Sequence, residues 1–113
     1  MSLSTKQWEF LQDVALLIQE AQRLGVKLTG GELYRTPYQQ AKYVSEGKSL
    51  TLESKHLLRL AVDFNFFIDG ELTYDYSNPL LKALGDYWES LNKDNRWGGN
   101  WETFRDTPHF ERN

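Results

Sequence analysis

SKHLLRLAVDFNFFIDGELTY, residues 54–74, decides the fold class. From Leu60 onward it reads as two β-strands joined at Asp69-Gly70, the dipeptide that best fits a two-residue hairpin turn. The stretch before it, residues 48–59, is polar and irregular in pattern. Further upstream, residues 4–24 predict an amphipathic helix with Trp8, Leu11, Ala15, Ile18 and Ala21/Gln22 along one face. Ser4 with Gln7 fits a capping box, Leu3 with Trp8 a hydrophobic staple, and Gly25 a stop. VKLTGGELY (26–34) predicts a short strand broken at Gly-Gly, and RTPYQQAKYVSEG (35–47) a second helix. There Thr36 is the cap, Pro37 the first helical residue and Gly47 the close. Downstream, Asn78-Pro79 opens a third helix reaching about Leu91, buried through Leu80, Leu81, Leu84, Tyr87, Trp88 and Leu91. NRWGGNWETF (95–104) reads as a glycine-broken aromatic loop and PHFER (108–112) as a terminal strand. Helices and antiparallel strands in mixed order predict an α+β domain.

The 113 residues are expected to form a single domain, large enough to bury a core without covalent staples. A net charge of −3 with no basic block argues against nucleic acid and against anionic membranes as partners. The absence of cysteine excludes disulfides and cysteine-ligated zinc. No apolar signal core or small-residue cleavage site opens the chain, so a cytoplasmic protein, released later or acting at the cell wall, is expected.

Only two histidines are present, His56 and His109. His56 and Asp63 are seven residues apart. On one helix they would be about 10 Å apart along the axis, too far to share an ion. On one strand the separation would be about 23 Å, on opposite faces. They converge only if His56 sits in a loop folded back over the strand that carries Asp63. Asp63 interrupts an apolar run, and a buried carboxylate is paired, hydrogen-bonded or metal-bound. An arginine partner, Arg59 or Arg35, is one answer. Two histidines and one carboxylate, the three-ligand set of catalytic zinc, are the other.

SKHLLRLAVD resembles the S-x-H-x-x-G-x-A-x-D signature of the zinc D-alanyl-D-alanine carboxypeptidase and L-alanyl-D-glutamate endopeptidase family, peptidoglycan peptidases that include phage endolysins. Ser54, His56, Ala61 and Asp63 are in register with it. WGGNWETFRDTPHFE (97–111) is similar to the second signature, W-G-G-x-W followed by D-x-x-H-F-E, and YRTPYQQ (34–40) to an arginine motif with glutamine five residues on. One position departs: Arg59 stands where the family has glycine, so the loop either takes another path or turns this side chain outward.

The resemblance implies a hedgehog/D-Ala-D-Ala-peptidase-like fold, a small antiparallel sheet packed with about three helices and a zinc site at the sheet edge. It implies one zinc ion per chain on His56, Asp63 and His109, with Asp106 as the catalytic carboxylate. Arg35 would bind substrate and stabilise the oxyanion, its guanidinium being able to grip a carboxylate by two parallel bonds. Ser54, Gln40, Glu111 and Trp101 are weaker candidates for substrate contact or for orienting the ligands. Glu111 is set two residues after His109 to support it and rivals Asp106 as general base. Trp97 and Trp101 either close the core or floor the cleft, and at least one is expected in the core. Gly98 and Gly99 would let the backbone pass close to the metal loop or the substrate. The implied partner is a peptidoglycan stem peptide, bound by a monomer. L-alanyl-D-glutamate endopeptidase is the first expectation. D-alanyl-D-alanine carboxypeptidase or dipeptidase activity, or a non-catalytic zinc-containing wall-binding module, are the alternatives.

Overall fold

The structure, a computed structural model, describes residues 2–49, 51 and 53–113. Leu50 and Leu52, in the irregular stretch, lie outside them. Helix α1 (Leu3–Leu24) leads into strand β1 (Lys27–Gly30) and helix α2 (Pro37–Ser45). Strands β2 (Ala61–Ile68) and β3 (Glu71–Thr73) follow, then α3 (Pro79–Leu91), β4 (Asn95–Trp97) and β5 (His109–Arg112). This is the α+β architecture read from the sequence. No helix among the described residues is long and apolar enough to cross a membrane.

Strand β2 organises the sheet, whose order is β1-β2-β5-β4. β1 runs along one edge of β2, while β5 (opposite 61–63) and β3 (opposite 66–68) follow one another along the other. The β2–β3 turn is the expected hairpin, with Asp69 and Gly70 at φ 53° and 80°. Positive angles at both central residues are what a two-residue turn between twisted strands requires.

Alternation then assigns the two faces. Val62, Phe64 and Phe66 of β2 and Phe110 of β5 point into the core, against Trp88 of α3, Phe10 of α1 and Trp97. Phe110 is the hub, with its ring about 6 Å from those of Phe64, Phe66, Trp88 and Trp97. Asp63, His109 and Glu111 point to the other face.

Three expectations are corrected. The buried face of α1 is Phe10, Val14, Leu17 and Ala21, whereas Trp8, Leu11 and Ile18 are exposed. Both stripes are apolar, so periodicity alone does not choose between them. Tertiary partners do: Phe10 meets Trp88 edge-on, and Asp13 receives the buried Arg112 and Asn95. The α1 cap is Ser2, whose hydroxyl accepts from the Thr5 amide, rather than Ser4, and Leu3 and Trp8 both stand exposed. Finally, the glycine-broken loop begins with a strand, β4, too short to announce itself by alternation.

Trp97 is fully buried, and its indole donates to the Thr107 carbonyl at 2.8 Å. It packs flat on Gly85 of α3, where an added Cβ would overlap the indole ring. Gly→Ala in a helix interior ordinarily gains about 0.5–1 kcal/mol. Here Gly85→Ala is expected to destabilise the protein by roughly 1–3 kcal/mol through overpacking, a reversal of sign readable in a denaturant titration.

Candidate metal centre and cleft

The centre begins with register. Asp63 of β2 and His109 of β5 are paired residues, so both side chains leave the same face side by side. His56 joins them through a single 3-10 turn, Lys55–Leu58, capped by the Ser54 hydroxyl on the His56 amide at 3.2 Å. Arg59 ends that turn in the left-handed region, φ 54° and ψ 37°, and the chain reverses into β2. That reversal is how a spacing of seven residues closes onto one point.

The glycine position of the resembled signature thus has the backbone angles that glycine adopts freely. Arg59 bears a left-handed penalty of about 1–2 kcal/mol, offset in part by stacking 4.1 Å above the Tyr34 ring. Its side chain is exposed, the outward of the two alternatives. Arg59→Gly is expected to melt within about 1 kcal/mol of the parent, because lost stacking and relieved strain nearly cancel. Arg59→Val should lose roughly 1–2 kcal/mol, since a β-branched residue resists this conformation.

A main-chain hydrogen bond fixes the His56 tautomer. His56 Nδ1 lies 2.9 Å from the Leu33 carbonyl, which only accepts, so Nδ1 carries the proton and Nε2 a lone pair. That Nε2 is buried, has no hydrogen-bond partner among the described residues, and lies 3.3 Å from Asp63 Oδ1. His109 Nδ1 is 3.2 Å from the same oxygen, and His109 Nε2 donates to Glu111 at 2.7 Å. One ligand atom from each of His56, Asp63 and His109 lies within 4.8 Å of the others. With neutral imidazoles, three lone pairs would face each other there, an arrangement that a proton or a cation must relieve. Burial alone would push His109 down, but the hydrogen bonds and charges of Asp63 and Glu111 outweigh it and lift it to about 9. Burial likewise opposes the Asp63 charge, and the two histidines more than compensate, holding its carboxyl well below the usual range. The donor set therefore fits a divalent cation: two imidazoles and a carboxylate converge, and the His109–Glu111 bond is the outer partner that ligating histidines usually have.

A cleft of about 600 Å³ opens over this group. Asp106, Arg35, Ser54, Trp101 and Glu111 line it together with the three ligand candidates. Asp106 belongs to the turn before β5, and its carbonyl accepts from the His109 amide at 3.0 Å. Its carboxylate makes no hydrogen bond among the described residues. Trp101 is half-buried with its ring 5.2 Å from that of His109, so it forms part of the cleft while Trp97 belongs to the core. Gly98 lies so close to the Asp106 backbone that a Cβ would collide with it. Gln40 is fully buried behind the cleft wall, accepting from Arg35 Nη1 at 2.6 Å and donating to Ser49 and the Thr51 carbonyl.

Three participants were not read from the sequence. The Leu33 carbonyl orients His56 through its main chain, which no side-chain motif records. Glu32 bonds Arg35 Nε, and Tyr43 packs beneath the guanidinium at 4.6 Å. The only hint was a Glu-x-x-Arg spacing in a segment that is not helical.

A family model described as D-alanyl-D-alanine carboxypeptidase matches residues 47–112, more than half of the chain and both histidine motifs. The chain belongs to that family. The solved structure of the L-Ala D-Glu endopeptidase ChiX from Serratia marcescens superposes with a TM-score of 0.69 at 27% identity, covering 90% of this chain and 79% of that one. The L-alanyl-D-glutamate peptidase of Listeria phage A118 is 32% identical over 98 residues, 86% of this chain. The chain spans about a third (34%) of the length of that curated relative. Residues 34–40, read from the sequence as resembling an arginine motif, lie upstream of the matched segment, and Arg35 lines the same cleft.

Proposed function

We propose that this family member is a zinc-dependent peptidase that hydrolyses the L-alanyl-D-glutamate bond of peptidoglycan stem peptides, acting as a monomer at the cell wall. The observation that carries the reading is the buried Nε2 of His56, without a hydrogen-bond partner among the described residues, facing Asp63 and His109. The choice of bond is supported by both similar proteins, which are named for it.

In this reading His56, Asp63 and His109 would hold the ion. When bound, zinc supplies Lewis acidity and a coordinated water acidic enough to ionise near neutral pH. Asp106 takes the proton of the attacking water and returns it to the leaving D-glutamyl amine. Arg35 donates to the carbonyl oxygen as it gains charge. Glu111 keeps the His109 ring oriented and Gln40 holds Arg35 from behind. Ser54 braces the His56 turn, and Trp101 offers an apolar surface to the stem peptide.

The test is digestion of purified peptidoglycan by the zinc-loaded protein with mass spectrometry of the soluble products. New D-glutamyl amino termini are expected. Release of terminal D-alanine instead would assign the carboxypeptidase alternative, and no release with zinc bound would leave a binding module.

A further inference from the structure

The cleft has two unlike walls. Residues 31–56 leave β1 and lead to β2, and residues 98–108 join β4 to β5. Because the sheet order is β1-β2-β5-β4, these connections approach the β2–β5 seam, which carries Asp63 and His109, from opposite ends of the sheet. Among the described residues, the first connection supplies every lysine and arginine that lines the cleft: Arg35, Lys48 and Lys55. The second supplies Trp101, Thr103, Phe104 and Asp106, with no cation.

The proposed cut releases a D-glutamyl residue that continues through its γ-carboxyl. Its α-carboxyl stays free, on the same carbon as the departing nitrogen. Asp106 and Glu111, carboxylates outside the ligand set, line the cleft and repel such an anion, so a cation has to accompany it. Arg35 already has Glu32 on its Nε and Gln40 on its Nη1, and its remaining nitrogen is directed to the carbonyl oxygen in that reading.

Lys48 is the next cation on the same support. Its Nζ lies 5.9 Å from the centre of the Tyr43 ring, and the Arg35 guanidinium lies 4.6 Å from that centre. The Lys48 amide donates to the Tyr43 carbonyl at 2.8 Å, which fixes the root of the side chain just beyond α2. Its one ion pair among the described residues is with Glu46 at 3.5 Å, and the lysine side chain is 66% exposed. So exposed a pair contributes little and is readily exchanged for another carboxylate. Lys55 has no aromatic or ionic contact among the described residues to aim its ammonium into the cleft.

We propose that Lys48 is a specificity-determining contact whose ammonium pairs with the free α-carboxylate of the D-glutamyl residue. The protein then prefers stem peptides in which that group is an acid over those in which it is an amide. This deepens the peptidase reading and rests on it. The pairing exists before and during bond cleavage alike, so it acts on KM more than on kcat.

The test uses zinc-loaded protein and two soluble peptides, N-acetyl-L-alanyl-γ-D-glutamyl-L-lysine and the analogue whose D-glutamyl α-carboxyl is an amide. The parent should favour the acid by about tenfold in kcat/KM, the effect of one charge-assisted hydrogen bond. In Lys48→Met that preference should shrink to within about twofold, through a higher KM for the acid. Lys48→Arg keeps the charge and should retain the preference within about threefold. Lys55→Met removes an equal charge from the same wall and should alter the preference by less than about twofold. A merely structural Lys48 would slow both peptides alike. An unchanged preference in Lys48→Met, or an equal fall in Lys55→Met, overturns the proposal. If the parent cleaves neither peptide, the peptidase reading fails. Calorimetric binding of the same two peptides to the parent and to Lys48→Met then decides the role of Lys48 by the same ratio.

Discussion

Asp106→Ala is expected to lower peptide release by about 10²–10⁴-fold while zinc content and melting temperature stay near those of the parent. The two halves of this result come from different atoms of one residue. The main chain of Asp106 builds the turn, its amide donating to the Gly98 carbonyl at 3.1 Å and its carbonyl accepting from His109. Both bonds survive truncation at Cβ. The carboxylate has no such duty and faces the cleft. Burial raises its pKa, with His109, Asp63, His56 and Arg35 all close enough to act on it. A carboxylate made more basic than usual is better suited to take and return a proton near neutral pH. Release within about threefold of the parent would remove Asp106 from the chemistry, and Glu111 would be the next carboxylate to test.

Zinc is expected to raise the melting temperature by on the order of 10 °C at about a hundredfold excess over its dissociation constant. Asp63→Ala should abolish that shift. The pH dependence of the metal-free protein has a defined sign. His109 is raised to about 9 in the fold and titrates near 6.5 when unfolded. Its contribution is therefore complete below about pH 6.5 and is lost as pH rises through about 9. Asp63 is depressed, so its contribution is present above about pH 4 and is lost only in strong acid. Without metal, stability should be greatest between about pH 4 and 6.5 and decline toward pH 9. Zinc ligation would require His109 and His56 to be free of a proton at the ligating nitrogen, so the zinc-induced shift should grow from pH 5 toward pH 9. Melting curves at pH 5, 7 and 9, with zinc or with a chelator, measure both trends. A zinc shift that shrank as pH rose would contradict ligation by these imidazoles.

The parts of this molecule legible from sequence are those written in local chemistry. Thr36-Pro37, Asn78-Pro79, Asp69-Gly70 and Gly25 fix element ends through backbone rules, and the structure has each in its expected role. The convergence of His56, Asp63 and His109 was legible because a signature carries long-range geometry that spacing alone does not. What was not legible depends on partners distant in the chain. The choice between two apolar stripes on α1 is made by Trp88 and Arg112, more than 70 residues away. The clamp on Arg35 uses Glu32 and Tyr43, neither of which has any periodicity to betray it.

Strand β5 alternates a fully buried aromatic, Phe110, with His109 and Glu111. Sliding that strand by one residue would send Phe110 into water and an imidazole into the oil of the core. A cation held by Asp63 of β2 and His109 of β5 would therefore recognise only one alignment of the two strands. It would act as a proofreader of assembly as well as a participant in chemistry, and chains that had zipped up wrongly would be left without metal.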